Sequence, residues 1–259
     1  MGKTLAIANQ KGGVGKTTTT INLAASLAAL QLRTLVIDLD PQGNASSGLG
    51  VVRTAVENSV YDVLAGKISA RDAILDTEIG NLALIPSQTE LAAAELELVT
   101  IEDRREFFLR ESLKDLSEDY DYILIDCPPS LSLLTINALV AADAVLVPVQ
   151  SEYYALEGLA RLRDTIARIQ QHLNPGLSID GLVLTMHDNR NNLARQVEED
   201  VRAHFGDAVY QTIIPRNVRL SEAPSFGQPI ITYDVTSRGA RAYLDLAREF
   251  VQRQDEVAR

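Results

Sequence analysis

Two lysines bracket a glycine-rich stretch close to the N-terminus, Gln10-Lys11-Gly12-Gly13-Val14-Gly15-Lys16-Thr17-Thr18. A glycine turn between a strand and a helix lets backbone N–H groups approach phosphate oxygens, and the start of the helix adds partial positive charge. In such a turn Lys16 can reach the outer phosphates of a nucleotide, and the Thr17 hydroxyl can ligate Mg²⁺. We therefore predict a phosphate site formed by Lys11, Gly12, Gly13, Val14, Gly15, Lys16, Thr17 and Thr18.

Carboxylates follow two apolar segments that are typical of buried strands. Asp126 closes the segment 122–125, and in enzymes with a phosphate loop an acid at this place holds Mg²⁺, directly or through a water. The segment 35–37 leads to Asp38 and Asp40, which point the same way if the strand continues. One of these two carboxylates could then face the metal and the other an attacking water. The carboxyl ends of parallel strands meet at one edge of the sheet, so the loop and the acids should converge there.

Alternating strands and helices must position these residues. Apolar strands are predicted at residues 4–8, 35–38, 82–86, 122–126, 144–148, 181–185 and 209–214, with a short eighth at 230–233. Helices are predicted at residues 19–32, 90–114 (with a polar turn at 100–102), 131–142, 156–173, 193–205 and 237–252. The alternation favours an α/β fold with a mostly parallel, twisted sheet of about seven or eight strands and helices on both faces. No linker or repeat interrupts the pattern, so we predict one domain over residues 1–259.

Composition and charge indicate which classes of protein the chain can belong to. The 259 residues are 46% hydrophobic and 23% charged, which is ordinary for a globular domain. The formal net charge is −11, and residues 57–126 alone hold 17 acidic and 6 basic residues, so the rest of the chain is neutral. This acidity argues weakly against nucleic-acid binding, although grouped arginines in the neutral C-terminal half leave that possibility open. The one cysteine, Cys127, excludes an internal disulfide, and neither a secretory signal nor a membrane span is predicted.

The glycine loop departs from the common phosphate-loop pattern in an informative way. Gln10 stands where that pattern has its first glycine, and Lys11 is an additional lysine. This variant resembles the deviant Walker A motif of the ParA/MinD superfamily. Further segments resemble the ParA/Soj branch of that superfamily and together cover most of the chain: LVIDLDPQGNASSGLG, YDYILIDCPPSLSLLTINAL, VLVPVQSEYYALEGL, LVLTMHDNR and TIIPRNVRLSEAPSFGQPI.

The resemblance implies roles for single residues. Lys11 would cross a dimer interface to the partner's nucleotide, and Asp40 would be required for hydrolysis, which makes Lys11, Lys16 and Asp40 the expected catalytic residues. Pro215 and Asn217 would pack and hydrogen-bond the adenine, while Asp126 to Leu134 would form the switch that senses the γ-phosphate. Arg190 and Arg219 would bind DNA, with weaker candidates at Arg195, Arg216, Arg238 and Arg241.

The same resemblance implies an activity. ATP, with Mg²⁺ as cofactor, would drive formation of a sandwich homodimer that binds double-stranded DNA non-specifically. Slow hydrolysis, stimulated by DNA and a ParB/Spo0J-type centromere-binding partner, would reset this switch in the cytoplasm, at the nucleoid. The phosphate loop and second acidic loop lie in residues 1–50, the Walker B acid and switch in 120–150, and the adenine loop and DNA face in 180–259.

Three other activities fit parts of the pattern. A MinD-like ATPase in division-site placement would need a C-terminal helix that lies on lipid, but residues 248–259 carry few large apolar side chains. A reductase like the nitrogenase iron protein would need two cysteines per subunit, and the chain has one. A module that binds ATP without hydrolysing it would have no use for Asp40.

Overall fold

A computed structural model describes residues 2–152 and 155–257. Within these residues one seven-stranded sheet has the order β3-β4-β2-β5-β1-β6-β7. All neighbouring strands are parallel except β3 and β4, which are antiparallel. The strands are β1 (Lys3–Ile7), β2 (Thr34–Asp38), β3 (Leu75–Asp76), β4 (Leu82–Ile85), β5 (Tyr122–Asp126), β6 (Ala144–Gln150) and β7 (Ser178–Thr185).

Helices cover both faces of this sheet. They are α1 (Lys16–Ala29), α2 (Asn44–Gly48), α3 (Val60–Leu64), α4 (Leu91–Thr100), α5 (Phe108–Leu113), α6 (Leu133–Ala141), α7 (Ala155–His172), α8 (Asn192–Phe205), α9 (Val218–Glu222), α10 (Ile230–Tyr233) and α11 (Arg238–Val257). The α/β class with a mostly parallel sheet is thus confirmed.

Strand alternation divides the core into two layers. On one face of the sheet, Leu5 and Ile7 of β1 pack with α1 and α11, where Phe250 is fully buried. On the other face, Ala6 of the same strand packs with α3 to α8. Burying one aromatic side chain such as Phe250 contributes roughly 1.5–3 kcal/mol, so α11 is held mainly by apolar contacts.

The register of the central strands brings three loops together at one edge of the sheet. β5 lies between β1 and β2, and Asp126 pairs with Ile7 on one side and Asp38 on the other. The three loops that leave these strands therefore start side by side, which agrees with the predicted convergence of the glycine loop and the two acidic segments.

The predicted strand at 209–214 is wrong. Val209 makes only an isolated bridge to Leu182 of β7. The amides of Gln211 and Thr212 donate instead to the Glu249 carboxylate of α11, at 2.7 and 2.8 Å. Because these two donors are taken by a side chain, the segment does not form a continuous ladder with β7.

Three other elements also differ from the predictions. Residues 230–233 form α10 rather than a strand, since Pro229 precedes the helix and the Ile230 amide donates to Asn22 of α1. The turn predicted at 100–102 within the helix 90–114 is longer than expected, since α4 ends at Thr100 and α5 begins at Phe108, and Arg104 between them has φ of 58°. The two-residue strand β3 was not predicted, because it is too short to show a periodic pattern.

Candidate nucleotide site

A cavity of about 610 Å³ opens at the carboxyl edge of the sheet, at the start of α1. Gly13 and Gly15 adopt φ of 75° and 89°, a left-handed conformation that favours glycine. A Cβ built on Gly13 would meet no atom within 4 Å, so the space beside this backbone is open. The first turn of α1 has no side-chain cap, and its amides are therefore suited to an anion.

Most of the predicted phosphate loop lines this cavity. The predicted residues found in the lining are Gly12, Gly13, Gly15, Lys16, Thr17, Thr18, Asp40, Pro215 and Asn217. Val14 is instead buried, and its carbonyl accepts the Thr185 hydroxyl at 2.8 Å, which ties the loop to the end of β7.

Lys16 is held over the loop in a buried position. Its Nζ donates to the carbonyl of Lys11 at 3.2 Å, and the residue is 7% exposed. Burial lowers the pKa of Lys16, although Asp126, Cys127 and Asp40 act in the opposite direction. An anionic ligand would stabilise the charged ammonium, so the side chain suits a phosphate group.

Asp126 meets two hydroxyls of α1. It accepts from Thr17 at 2.8 Å and from Thr20 at 2.9 Å, and it is fully buried. Burial, together with the nearby Asp38 carboxylate, raises the pKa of Asp126 to about 8. No side chain in residues 2–152 or 155–257 forms an ion pair with Asp126. Carboxylate and hydroxyl oxygens are hard ligands, so Thr17 and Asp126 fit a bound Mg²⁺.

Asp40 lies at the cavity wall in a loop that is fixed by other residues. Its carboxylate accepts the Gln42 amide at 2.9 Å, and its carbonyl accepts the Ser87 hydroxyl at 2.8 Å. Arg53 donates to the carbonyls of Pro41 and Gln42 at 2.8 and 2.6 Å. These contacts hold the carboxylate near the phosphate loop, where it could orient a water.

Asp38 does not share this orientation. Its Oδ2 accepts the amide and hydroxyl of Ser46 at 2.7 and 2.6 Å, and the residue is fully buried. β2 ends at Asp38, so the alternation of a strand does not extend to Asp40. The expectation that both acids point the same way is wrong, since Asp38 anchors α2 while Asp40 lines the cavity.

Lys11 makes an ion pair within its own chain. Its Nζ lies 2.6 Å from Glu152, and the two side chains are 35% and 49% exposed. The expected contact of Lys11 with a partner's nucleotide involves a second chain, so it stays a prediction.

The predicted adenine residues lie at the far wall of the cavity, with Met186 and Ile214 beside them. Asn217 also caps α9, because its Oδ1 accepts the Arg219 amide at 2.8 Å. Its oxygen keeps a second lone pair and its amide group keeps two donors, so the prediction that Asn217 both donates to and accepts from a base stays a prediction.

The predicted DNA-binding arginines are spread over several places. Arg190 pairs with Asp188 at 2.8 Å, and Arg219 pairs with Glu222 at 2.9 Å. The weaker candidates lie at the nucleotide cavity (Arg216), on α8 (Arg195) and along a second cavity of about 400 Å³ (Arg238 and Arg241). The carboxylates beside Arg190 and Arg219 reduce the local positive charge, so DNA binding stays a prediction.

Sequence reasoning missed several supporting residues. Thr20 follows Thr17 by three positions on one helix face, a spacing that could have indicated a second hydroxyl for Asp126. Ser46, Arg53 and Ser87 carry no comparable signal, because they contact the acidic loop from positions 8, 12 and 47 residues away that follow no helix or strand period. Cys127 is buried in the core, and burial raises the pKa of its thiol.

Residues 2–152 and 155–257 show neither a metal-binding cluster nor a membrane-spanning helix. These residues contain no cluster of three or more histidine, cysteine or acidic side chains that could bind a metal. None of their helices is long and apolar enough to cross a membrane. Two residues of the C-terminal segment weighed for lipid binding, Ala258 and Arg259, lie outside the described chain.

Many known proteins are similar to this chain in sequence and fold. A family model described as an AAA domain matches residues 2–179. The sporulation initiation inhibitor protein Soj of Bacillus subtilis is 58% identical over 250 residues, which cover 96% of this chain and 98% of that protein. The chromosome partitioning protein ParA of Myxococcus xanthus is 54% identical, with 98% and 89% covered.

Solved structures of similar fold belong to nucleotide-binding proteins and ATPases. Cobyrinic acid a,c-diamide synthase from Mycobacterium smegmatis, bound to an ATP analog and magnesium, has a TM-score of 0.86 and 36% identity, with 98% and 96% of the chains covered. The cell division ATPase MinD of Pyrococcus furiosus has a TM-score of 0.80 and 29% identity, with 97% and 99% covered. Fold and glycine loop define a P-loop protein of the ParA/MinD superfamily. Within that class, the chain belongs to the ParA/Soj family.

Proposed function

We propose that this protein is an ATP-dependent switch that acts in the segregation of chromosomes or plasmids. The observation that carries the proposal is the meeting of Lys16, Thr17 and Asp40 at one cavity, with Asp126 bonded to Thr17. Its relatives named as partitioning proteins match this chain over nearly its whole length. The proposed reaction is hydrolysis of ATP to ADP and phosphate.

The residues of the site have different roles in hydrolysis. The loop amides and Lys16 hold the phosphates and neutralise their charge, while Asp40 orients the attacking water. Thr17 and Asp126 would hold Mg²⁺, Asp126 directly or through a water, and the ion supplies further charge neutralisation when bound. Pro215 offers an apolar contact to the base, and the Asn217 amide group donates to it.

Formation of the homodimer requires Lys11 to leave Glu152. This ion pair is about half exposed, so it contributes at most about 1 kcal/mol. A phosphate of the partner's ATP offers a stronger, charge-assisted contact. Moving Lys11 from Glu152 to the partner's ATP is therefore favourable only when nucleotide is present, which makes dimer formation dependent on ATP.

The dimer would bind double-stranded DNA non-specifically through Arg190 and Arg219, with contributions from Arg195, Arg216, Arg238 and Arg241. Two copies of one weak phosphate-binding surface bind more tightly than a single copy, so ATP turns DNA binding on. A ParB/Spo0J-type partner then stimulates hydrolysis and returns the protein to its monomer. This cycle places the protein in the cytoplasm, at the nucleoid.

The proposal is tested by DNA binding and phosphate release with wild type and Asp40→Ala, in ATP and in ADP. Slow turnover is expected for the protein alone, with stimulation by DNA and partner together. Wild type should bind DNA in ATP but weakly in ADP. Rapid hydrolysis by the protein alone, or sedimentation with anionic liposomes in place of DNA binding, would contradict it, and the second result would favour a MinD-like function.

A further inference from the structure

Helix α4 is apolar on two opposite faces. Its inner face packs into the core through Leu91, Ala94 and Leu98. Its outer face exposes Ala92, Leu96 and Val99, which lie at positions i, i+4 and i+7, and Leu96 and Val99 are 74% and 57% exposed. Large apolar side chains grouped on one exposed face are typical of an interaction site, so the outer face of α4 is a candidate docking surface.

The surroundings of this face are mainly acidic, with one basic side chain, Arg105, which donates to the Val99 carbonyl at 3.0 Å at the C-terminal end of α4. Residues 72–103 contain eight aspartates and glutamates and no lysine, arginine or histidine. The acidic residues on α4 and within three residues of its ends are Glu90, Glu95, Glu97, Glu102 and Asp103. None of these five forms an ion pair with any residue in the described ranges 2–152 and 155–257.

We propose that the outer face of α4 docks a basic amphipathic helix of a partner protein. Apolar side chains at i, i+4 and i+7 match the spacing of a second helix, and lysines or arginines along its edges would pair with the free carboxylates. Charge complementarity of this kind speeds association and selects the partner. The inference goes beyond the nucleotide switch and does not depend on it.

The charge pattern argues against other occupants. A two-fold contact centred on α4 would place the carboxylates of one copy against those of the other. Anionic lipid and DNA would meet the same repulsion. The apolar stripe argues against a partner that binds through positive charge alone. Burial of Leu96 and Val99 stabilises a complex only when the partner also presents apolar side chains.

The probe is a synthetic peptide with leucines at i, i+3, i+4 and i+7 and lysines at the other positions. A scrambled peptide of the same composition is its control. Fluorescence anisotropy should show binding of the amphipathic peptide to the full chain, about tenfold weaker binding of the scrambled one, and weaker binding as salt rises. Equal binding of both peptides would overturn the proposal, because it would show attraction by charge alone.

The double variant Leu96→Ser with Val99→Ser tests the surface itself. It should weaken peptide binding about tenfold, since two apolar contacts are lost. Val235→Ser, at a site 59% exposed outside α4, is the matched control and should bind as wild type. Unchanged binding by the double variant would overturn the proposal. Loss of ATP-driven dimerisation in that variant, measured by size-exclusion chromatography, would also overturn it, because the face would then belong to the homodimer.

Discussion

At the scale of single residues, the two acids after β2 show how neighbouring side chains of one type take different roles. Asp38 is buried against Ser46, whereas Asp40 lines the cavity. Burial raises the pKa of Asp38 to about 6, but the Ser46 hydroxyl and amide oppose that shift. Asp38 is therefore a structural anchor of the loop, and Asp40 is the residue to test for chemistry.

Replacing Asp40 with alanine should slow hydrolysis by about a hundredfold or more while ATP still binds. The carboxylate that orients water is removed, but the phosphate loop stays intact. The variant should accumulate as an ATP-bound dimer, which size-exclusion chromatography and a phosphate-release assay would detect together. Wild-type turnover in Asp40→Ala would contradict the role assigned to this side chain.

Lys16→Ala should weaken ATP binding by about tenfold to a hundredfold, since one charge-assisted contact to phosphate is lost. Dimerisation in ATP should disappear with it. Lys67→Ala is a suitable control, because that lysine is exposed just after α3 and contacts Asp62 and the Tyr61 ring rather than the nucleotide cavity. Isothermal titration with ATP measures the difference, and equal affinity of the two variants would refute the assignment.

At the scale of elements, the contact between α11 and residues 209–214 deserves a stability test. Glu249 is 17% exposed and accepts two backbone amides, besides pairing with Arg253 at 2.9 Å. Burial alone would raise the pKa of Glu249, but the amides of Gln211 and Thr212 and the charge of Arg253 lower it overall. The ionised carboxylate therefore holds this segment against the helix.

Glu249→Ala should lower the free energy of unfolding by about 1–3 kcal/mol at neutral pH, because two amides lose their acceptor. A lowered pKa in the folded state means that the contribution is present above the unfolded pKa of about 4.3 and is lost as pH falls through the folded pKa. The difference from wild type should therefore shrink in acid. Urea unfolding at several pH values measures it.

The control for that experiment is Asp245→Ala, on the same helix, where the carboxylate is 59% exposed and pairs with Arg248. It should change stability little. Equal losses in the two variants would show that the amide contacts of Glu249 contribute nothing specific.

At the scale of the whole molecule, the acidic charge is concentrated in residues 57–126, away from the arginines predicted to bind DNA. Arg219→Ala should weaken DNA binding in ATP and reduce the slope of log affinity against log salt by about one to two, since each dimer loses two phosphate contacts. ATP-driven dimerisation should be unchanged.

Arg71→Ala provides the comparison for the DNA experiment. Arg71 is also exposed and paired with a carboxylate, Asp119, but it lies in the acidic part of the chain. Its removal should leave both affinity and salt slope as in wild type. A filter-binding titration at two salt concentrations compares the variants, and an unaltered slope in Arg219→Ala would remove this residue from the DNA surface.

The sequence by itself determined the fold class, the phosphate loop and the family, because these depend on local features. Glycines at 12, 13 and 15 between a strand and a helix, and apolar runs ending in Asp38 and Asp126, are visible without coordinates. Only the tertiary structure decided that Asp38 binds Ser46, that Arg53 and Ser87 hold the Asp40 loop, and that Glu249 takes the amides of a predicted strand. These contacts span 8 to 47 residues of sequence, and a backbone pattern carries no information about which side chain will satisfy a buried donor or acceptor.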